Sequence, residues 1–143
     1  MSAFLTPLRH ELIKHPYHRV LEPLLYFDPK GRLWEVPPGF VSDGASIPWP
    51  FRAALPHHGS YTRAAYLHDW LFVTRPLERR EIDRLMVASM EDDEVNPVIR
   101  FVISQGLRVG SWKPWYYPVE MHPENERFIG WYDNVQVSSI FGN

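Results

Sequence analysis

The sequence predicts an α+β fold, and two observations carry that prediction. Up to Phe40 the apolar stretches are short and are broken by Pro7, Pro16, Pro23, Pro29, Pro37 and Pro38. Each proline ring fixes φ and removes a backbone donor, so long helices are excluded there and short strands with turns are the economical solution. From Tyr61 onward the apolar residues recur instead at the helical period of about 3.6.

The first clear element is a hairpin. Leu24-Leu25-Tyr26-Phe27 and Leu33-Trp34-Glu35-Val36 flank Asp28-Pro29-Lys30-Gly31, which places Asp, Pro and Gly where a β-turn wants them. Three helices follow, at about 61–73, 76–91 and 97–108. Tyr61, Ala64, Ala65, His68, Leu71 and Phe72 make the first stripe, apolar except for a histidine. Pro76, near the first helical position, opens the second, whose stripe is Ile82, Leu85, Met86, Ser89 and Met90. Asn96-Pro97 caps the third, which carries Val98, Ile99, Val102 and Ile103, with Gly106 and Gly110 as candidate stops. Residues 1–111 are expected to form a single α+β domain. Residues 112–143, aromatic and Pro-rich with Val135-Gln136-Val137 as one alternating piece, read as an extended arm packed on the domain or on a partner.

Composition narrows the function. The chain has 143 residues, 14 prolines, six Trp, seven Tyr and eight Phe, so a simple helical bundle is excluded. A formal net charge of −2 supplies no basic field for a nucleic-acid backbone or an anionic membrane, and nucleic acid is not an expected partner. Without cysteine there is no disulfide framework, thiolate metal site or cysteine nucleophile. No apolar run reaches the roughly 18–20 residues of a membrane span, and Met1-Ser2-Ala3-Phe4 opens neither a signal nor a transit peptide, so a soluble, unprocessed protein is expected.

Two segments carry residues with chemical potential. In the first, Val36 to Pro48, the small residues Ser42, Gly44 and Ser46 surround Asp43 between proline-stiffened flanks. Asp43 offers a carboxylate to a metal or hydrogen-bond donor, and Ser42 or Ser46 a hydroxyl; an Asx-turn satisfying its own loop amides is the structural alternative. In the second, His68-Asp69 sits on a helix otherwise built of apolar and small residues. If the chain turns near Arg75, His68 lies seven residues before the turn and Asp83 eight after it, so an antiparallel pair sets them level. Asp83 would then accept from one ring nitrogen of His68 and leave the other as a base. Asp69, about 100° further round the helix, would face another neighbour, the Asp43 loop. The pattern suggests water activation by His68 and Asp83, with Asp69 and Asp43 binding a hard cation such as calcium. Its alternative is a structural network in which His68 is a core histidine and Asp69 pairs with Arg63 or Arg75. Of the remaining candidates, His57-His58 reads as a solvated loop, and Arg75, Arg79, Arg80 and Arg84, interleaved with Glu78 and Glu81, read as a salt-bridged surface.

The strings V-P-P-G-F-V-S-D-G-A-S-I-P, A-A-Y-L-H-D-W-L-F and R-R-E-I-D-R-L-M-V-A-S-M resemble a family of small proteins of tailed bacteriophages and prophages, the domain of unknown function numbered thirteen fifty-three. The resemblance runs from about Tyr26 to Trp112 and matches Val36, Gly39, Phe40, Ser42, Asp43, Ala45, Ser46, Ile47, Pro48, His68, Asp69 and Asp83. Gly44 and Phe72 depart from its usual residues. It implies a phage or prophage origin, and with it a place in the host cytoplasm or the virion; the C-terminal arm lies outside the resemblance, and other virion proteins are its expected partners if the protein is a virion component. The helix pair is also similar to that of phospholipases A2, in which a His is the base, the next Asp binds calcium and a later Asp orients the His. Here those roles would fall to His68, Asp69 and Asp83, and the carbonyl-supplying loop to residues 39–45, whose pattern departs from theirs. The expected functions are therefore a small hydrolase, calcium-assisted, or a tail or head–tail accessory protein in which the same residues form a buried network.

Overall fold

The computed structural model describes residues 1–43, 59–110, 115–116 and 121–133. Among these, six short strands form two three-stranded antiparallel sheets, followed by three helices, so the α+β architecture read from the sequence is the observed one. The strands are β1 (Ala3–Phe4), β2 (His10–Lys14), β3 (Tyr17–Val20), β4 (Leu24–Phe27), β5 (Leu33–Val36) and β6 (Val41–Ser42), and the sheet orders are β1-β4-β5 and β2-β3-β6. The helices are α1 (Thr62–Thr74), α2 (Arg79–Asp92) and α3 (Pro97–Gly110), with a 3-10 helix at Pro123–Phe128.

The expected hairpin is β4–β5, in the register Tyr26 opposite Trp34 and Leu24 opposite Val36. The period-two pattern puts these four side chains on one face, where none is more than 1% exposed. Its turn is closed by Asp28, whose Oδ1 accepts from the Lys30 and Arg32 backbone N–H groups at 2.8 and 2.9 Å. Gly31 adopts φ +79°, a left-handed conformation that a Cβ would disfavour.

Helix α1 is the centre of the molecule. Ala64, Ala65, Tyr66, Leu67, His68, Trp70, Leu71 and Thr74 are all buried, so the helix is enclosed on most sides rather than on the single face suggested by its stripe. One core cluster joins it to the hairpin through Trp34, Tyr26, Phe40, Trp70 and Leu71; a second joins it to α2 and α3 through Ala65, Met86, Met90 and Ile103. Trp70 is ringed by Phe40, Phe128 and Trp131 at centroid distances of 5.3, 5.2 and 5.6 Å. Part of the C-terminal segment is thus built into the core, since Phe128 is only 4% exposed.

Two boundary expectations are corrected. Pro76 does not open α2: Arg75 ends α1 in the left-handed region (φ 50°) with its N–H on the Leu71 carbonyl, and Pro76 lies in the connection before the extended N-cap Glu78. Gly106 does not stop α3, which runs on to Gly110 with Gly106 buried beside Ile103 and Leu107. Packing of that stripe outweighs the roughly 1 kcal/mol helix penalty of one glycine. The Asn96 cap is present, its Oδ1 accepting from Val98 N–H at 2.8 Å. The Val135–Val137 piece lies outside the described residues. No described helix is long and apolar enough to cross a membrane.

Candidate functional site

The level placement of His68 and Asp83 follows from the tight connection at Arg75 and the antiparallel packing of α1 on α2. His68 Nε2 lies 2.8 Å from Asp83 Oδ1. The second carboxylate oxygen, Oδ2, receives Arg79 Nη1 at 3.4 Å from one turn earlier on α2. His68 is 7% exposed, and its ring lies 4.7 Å from that of Phe72, four residues on along α1, tilted by 36°. Phe72 in turn meets Trp115 edge to face.

Asp69 leaves α1 in a different direction and meets β6. Ser42 donates its hydroxyl to Asp69 Oδ2 at 2.6 Å. Burial pushes the Asp69 carboxyl well above the usual carboxylate range; the nearby Asp43 charge adds to that rise, and the Ser42 hydrogen bond opposes it. Asp43 itself is exposed. Neither arginine suggested as a partner takes Asp69: Arg63 pairs with Asp93, its Nε 2.9 Å from Oδ2, and Arg75 reaches the Trp115 carbonyl and ring. Both cations are drawn to elements that the helix spacing alone does not place beside them.

Tyr66, three residues before Asp69 and on the same side of α1, extends this second locale. Its hydroxyl is 2.7 Å from His10 Nδ1 on β2, and the His10 ring lies 4.9 Å from that of His18 on β3. Burial raises the Tyr66 phenol above its ordinary value, and the charges of Asp69 and Asp43 act in the same direction. Strand β6 is positioned from both sides, by β3 with His18 opposite Ser42 and by Asn125, which hydrogen-bonds both the N–H and the carbonyl of Val41. Sequence reasoning assigned no role to His10 or His18 and did not single out Tyr66 or Asn125. The spacing of Tyr66 from Asp69 was the one available signal; for Asn125, 84 residues from Val41, there was none.

The sequence-predicted residues therefore form two groups on different sides of α1, His68 with Asp83 and Asp69 with Ser42 and Asp43. Gly44, Ser46, His57 and His58 lie outside the described residues. Among the described residues no group of three or more His, Asp or Glu side chains is disposed to hold a metal ion. Asp43 and Asp69 nevertheless have the right chemistry for a hard cation, being two carboxylates that repel each other, Asp69 desolvated and Asp43 exposed. The interleaved salt-bridge surface expected on α2 is also not formed as read. Glu81 turns to Lys30 and Arg32 of the hairpin turn, at 2.8 and 3.0 Å.

A family model described as "Protein of unknown function (DUF1353)" matches residues 18–105, a span that includes Ser42, Asp43, His68, Asp69 and Asp83 but neither His10 nor Asn125. An uncharacterised protein of Sinorhizobium fredii, y4jT, is 42% identical over 50 residues, which cover 34% of this chain and 15% of that protein. No solved structure matches.

Proposed function

The chain belongs to the DUF1353 family, and from the site that its matched segment builds we propose that it is a hydrolase that activates water. One observation carries this reading: the 2.8 Å contact of His68 Nε2 with Asp83 Oδ1, which orients the imidazole and assigns its Nε2 proton to the carboxylate. Nδ1 is then the basic nitrogen. It takes a proton from water as the water oxygen adds to an ester or amide carbonyl; the imidazolium, stabilised by Asp83, then returns that proton to the alcohol or amine that departs as the tetrahedral intermediate collapses to the acid. Arg79 steadies the other Asp83 oxygen. Asp69 and Asp43, on another side of α1 from His68, are the residues that would hold a calcium ion, which when bound would neutralise their mutual repulsion. Phage or prophage origin, suggested by the motif strings, belongs to this proposal.

The test is hydrolysis of a panel of lipid, peptide and sugar esters, with and without Ca²⁺, by the wild type, His68→Ala and Asp83→Asn. Loss of general-base catalysis should lower turnover by about 10²- to 10⁴-fold in His68→Ala while circular dichroism stays native. Turnover of no member of the panel, or equal turnover by the variants, overturns the reading.

A second reading, a virion accessory protein, is favoured by a specific observation in the C-terminal segment. Tyr116, Ile129 and Trp131 remain 68%, 59% and 50% exposed there, apolar surface suited to a protein partner. In that case the protein should be found in stoichiometric amounts in purified particles of a phage encoding it, and its absence from them counts against this role.

A further inference from the structure

The groove between α2 and α3, about 850 Å³ in volume, concentrates positive charge in a protein whose formal net charge is −2. Among the described residues, Arg79, Arg80, Arg84 and Arg108 line it against Asp83 and Glu91. Arg79 is engaged by Asp83, whereas Arg80, Arg84 and Arg108 form no ion pair among the described residues. Glu81, the acid that sequence spacing would pair with them, is held by Lys30 and Arg32 on another side of α2.

This placement works against the stability of the helix. Arg79 and Arg80 occupy the first turn of α2, where the helix dipole disfavours cations, and Arg80 and Arg84 stand four residues apart, where like charges repel. Each effect is small and is offset in part by Glu81 in the same turn and by the Arg79–Asp83 pair, and an anion in the groove would relieve both. The groove also has an apolar side, with Val87 and Ala88 of α2 and Leu107 of α3. Forked guanidinium groups around such a surface match the oxygens of a phosphoryl group, which accepts paired N–H bonds.

The geometry points to the α2–α3 groove as a binding site for a phosphate-bearing ligand, with Arg80, Arg84 and Arg108 contacting the phosphoryl oxygens and Val87 and Leu107 the apolar portion. Binding here requires no catalysis by His68, although Asp83 borders both places.

The experiment titrates the intact protein with inorganic pyrophosphate by calorimetry and, in a second arm, measures co-sedimentation with phosphatidylglycerol vesicles against phosphatidylcholine vesicles. Saturable binding is expected in at least one arm, weakened about tenfold by Arg84→Gln and further by Arg108→Gln, since each removes charge-assisted hydrogen bonds. Both arginines are exposed, so these variants should fold. Arg9→Gln, which alters an exposed pair with Glu22 elsewhere, should bind as the wild type does. Pyrophosphate binding without vesicle binding assigns the phosphoryl group to a soluble ligand, and the reverse assigns it to a lipid headgroup. No saturable binding in either arm, or equal weakening by Arg9→Gln and Arg84→Gln, overturns the proposal.

Discussion

Asn125 exchanges two hydrogen bonds with the backbone of Val41, accepting the Val41 N–H on Oδ1 at 2.9 Å and donating Nδ2 to the Val41 carbonyl at 2.7 Å. The amide acts as a further strand partner for β6, on the side away from β3. The next residue, Ser42, donates to Asp69, so a side chain near the C-terminus holds one wall of the candidate site. Asn125→Ala leaves two buried backbone groups without partners and should cost about 2–6 kcal/mol, a sum of two unsatisfied groups. Urea denaturation measures this directly; a loss below about 0.5 kcal/mol, the range of neutral surface changes, would show that β6 does not depend on Asn125.

Phe128 makes a related prediction about the C-terminal segment. It is buried between Phe40 and Trp70, at centroid distances of 6.0 and 5.2 Å. Phe128→Ala should destabilise the protein by about 3–5 kcal/mol through lost burial and the cavity left behind. A thermal midpoint unchanged from wild type would mean that the segment is dispensable to the core.

The His68–Asp83 contact should be measurable as a coupling energy whether or not the pair is catalytic. A double-mutant cycle with His68→Ala and Asp83→Ala is expected to give about 1–3 kcal/mol, as for contacting residues in a hydrogen-bonded network. Additive single effects would remove the orienting role given to Asp83.

Acid stability should depend on Asp28. Its carboxylate is fully buried and accepts from Trp34 Nε1 at 2.9 Å and Arg32 Nε at 2.6 Å, besides two backbone N–H groups. Burial acts to raise this carboxyl, but the Arg32 backbone N–H, the Trp34 indole and the Arg32 guanidinium together outweigh it and hold the group below its ordinary value. A folded value below the unfolded one means that ionised Asp28 contributes stability fully above the unfolded value, about 4. That contribution drains away as pH falls through the lower folded value. Asp28→Asn should therefore be less stable than wild type at pH 7, with the gap narrowing below about pH 4. A gap that stays constant with pH would show that ionisation of Asp28 is not what stabilises the turn.

What could be read without the structure rests on regularities that are local in the chain. The change of period near Tyr61 locates the helices because side-chain direction repeats every 3.6 residues whatever the surroundings. Asp28 and Gly31 announce the hairpin turn because its backbone conformation and hydrogen bonds are settled within four residues. Even the His68–Asp83 contact is nearly local, since counting equal rises from a tight connection sets the two level across a helix pair. By contrast, Asn125 against Val41, His10 against Tyr66 and Glu81 against Arg32 join residues 84, 56 and 49 positions apart. No spacing rule encodes such pairs, because they arise only when separately formed elements dock. The same docking turned Glu81 away from its arginine neighbours and let packing carry α3 through Gly106. The net charge was legible in the composition; the gathering of four arginines along one groove was decided only when α2 and α3 came together.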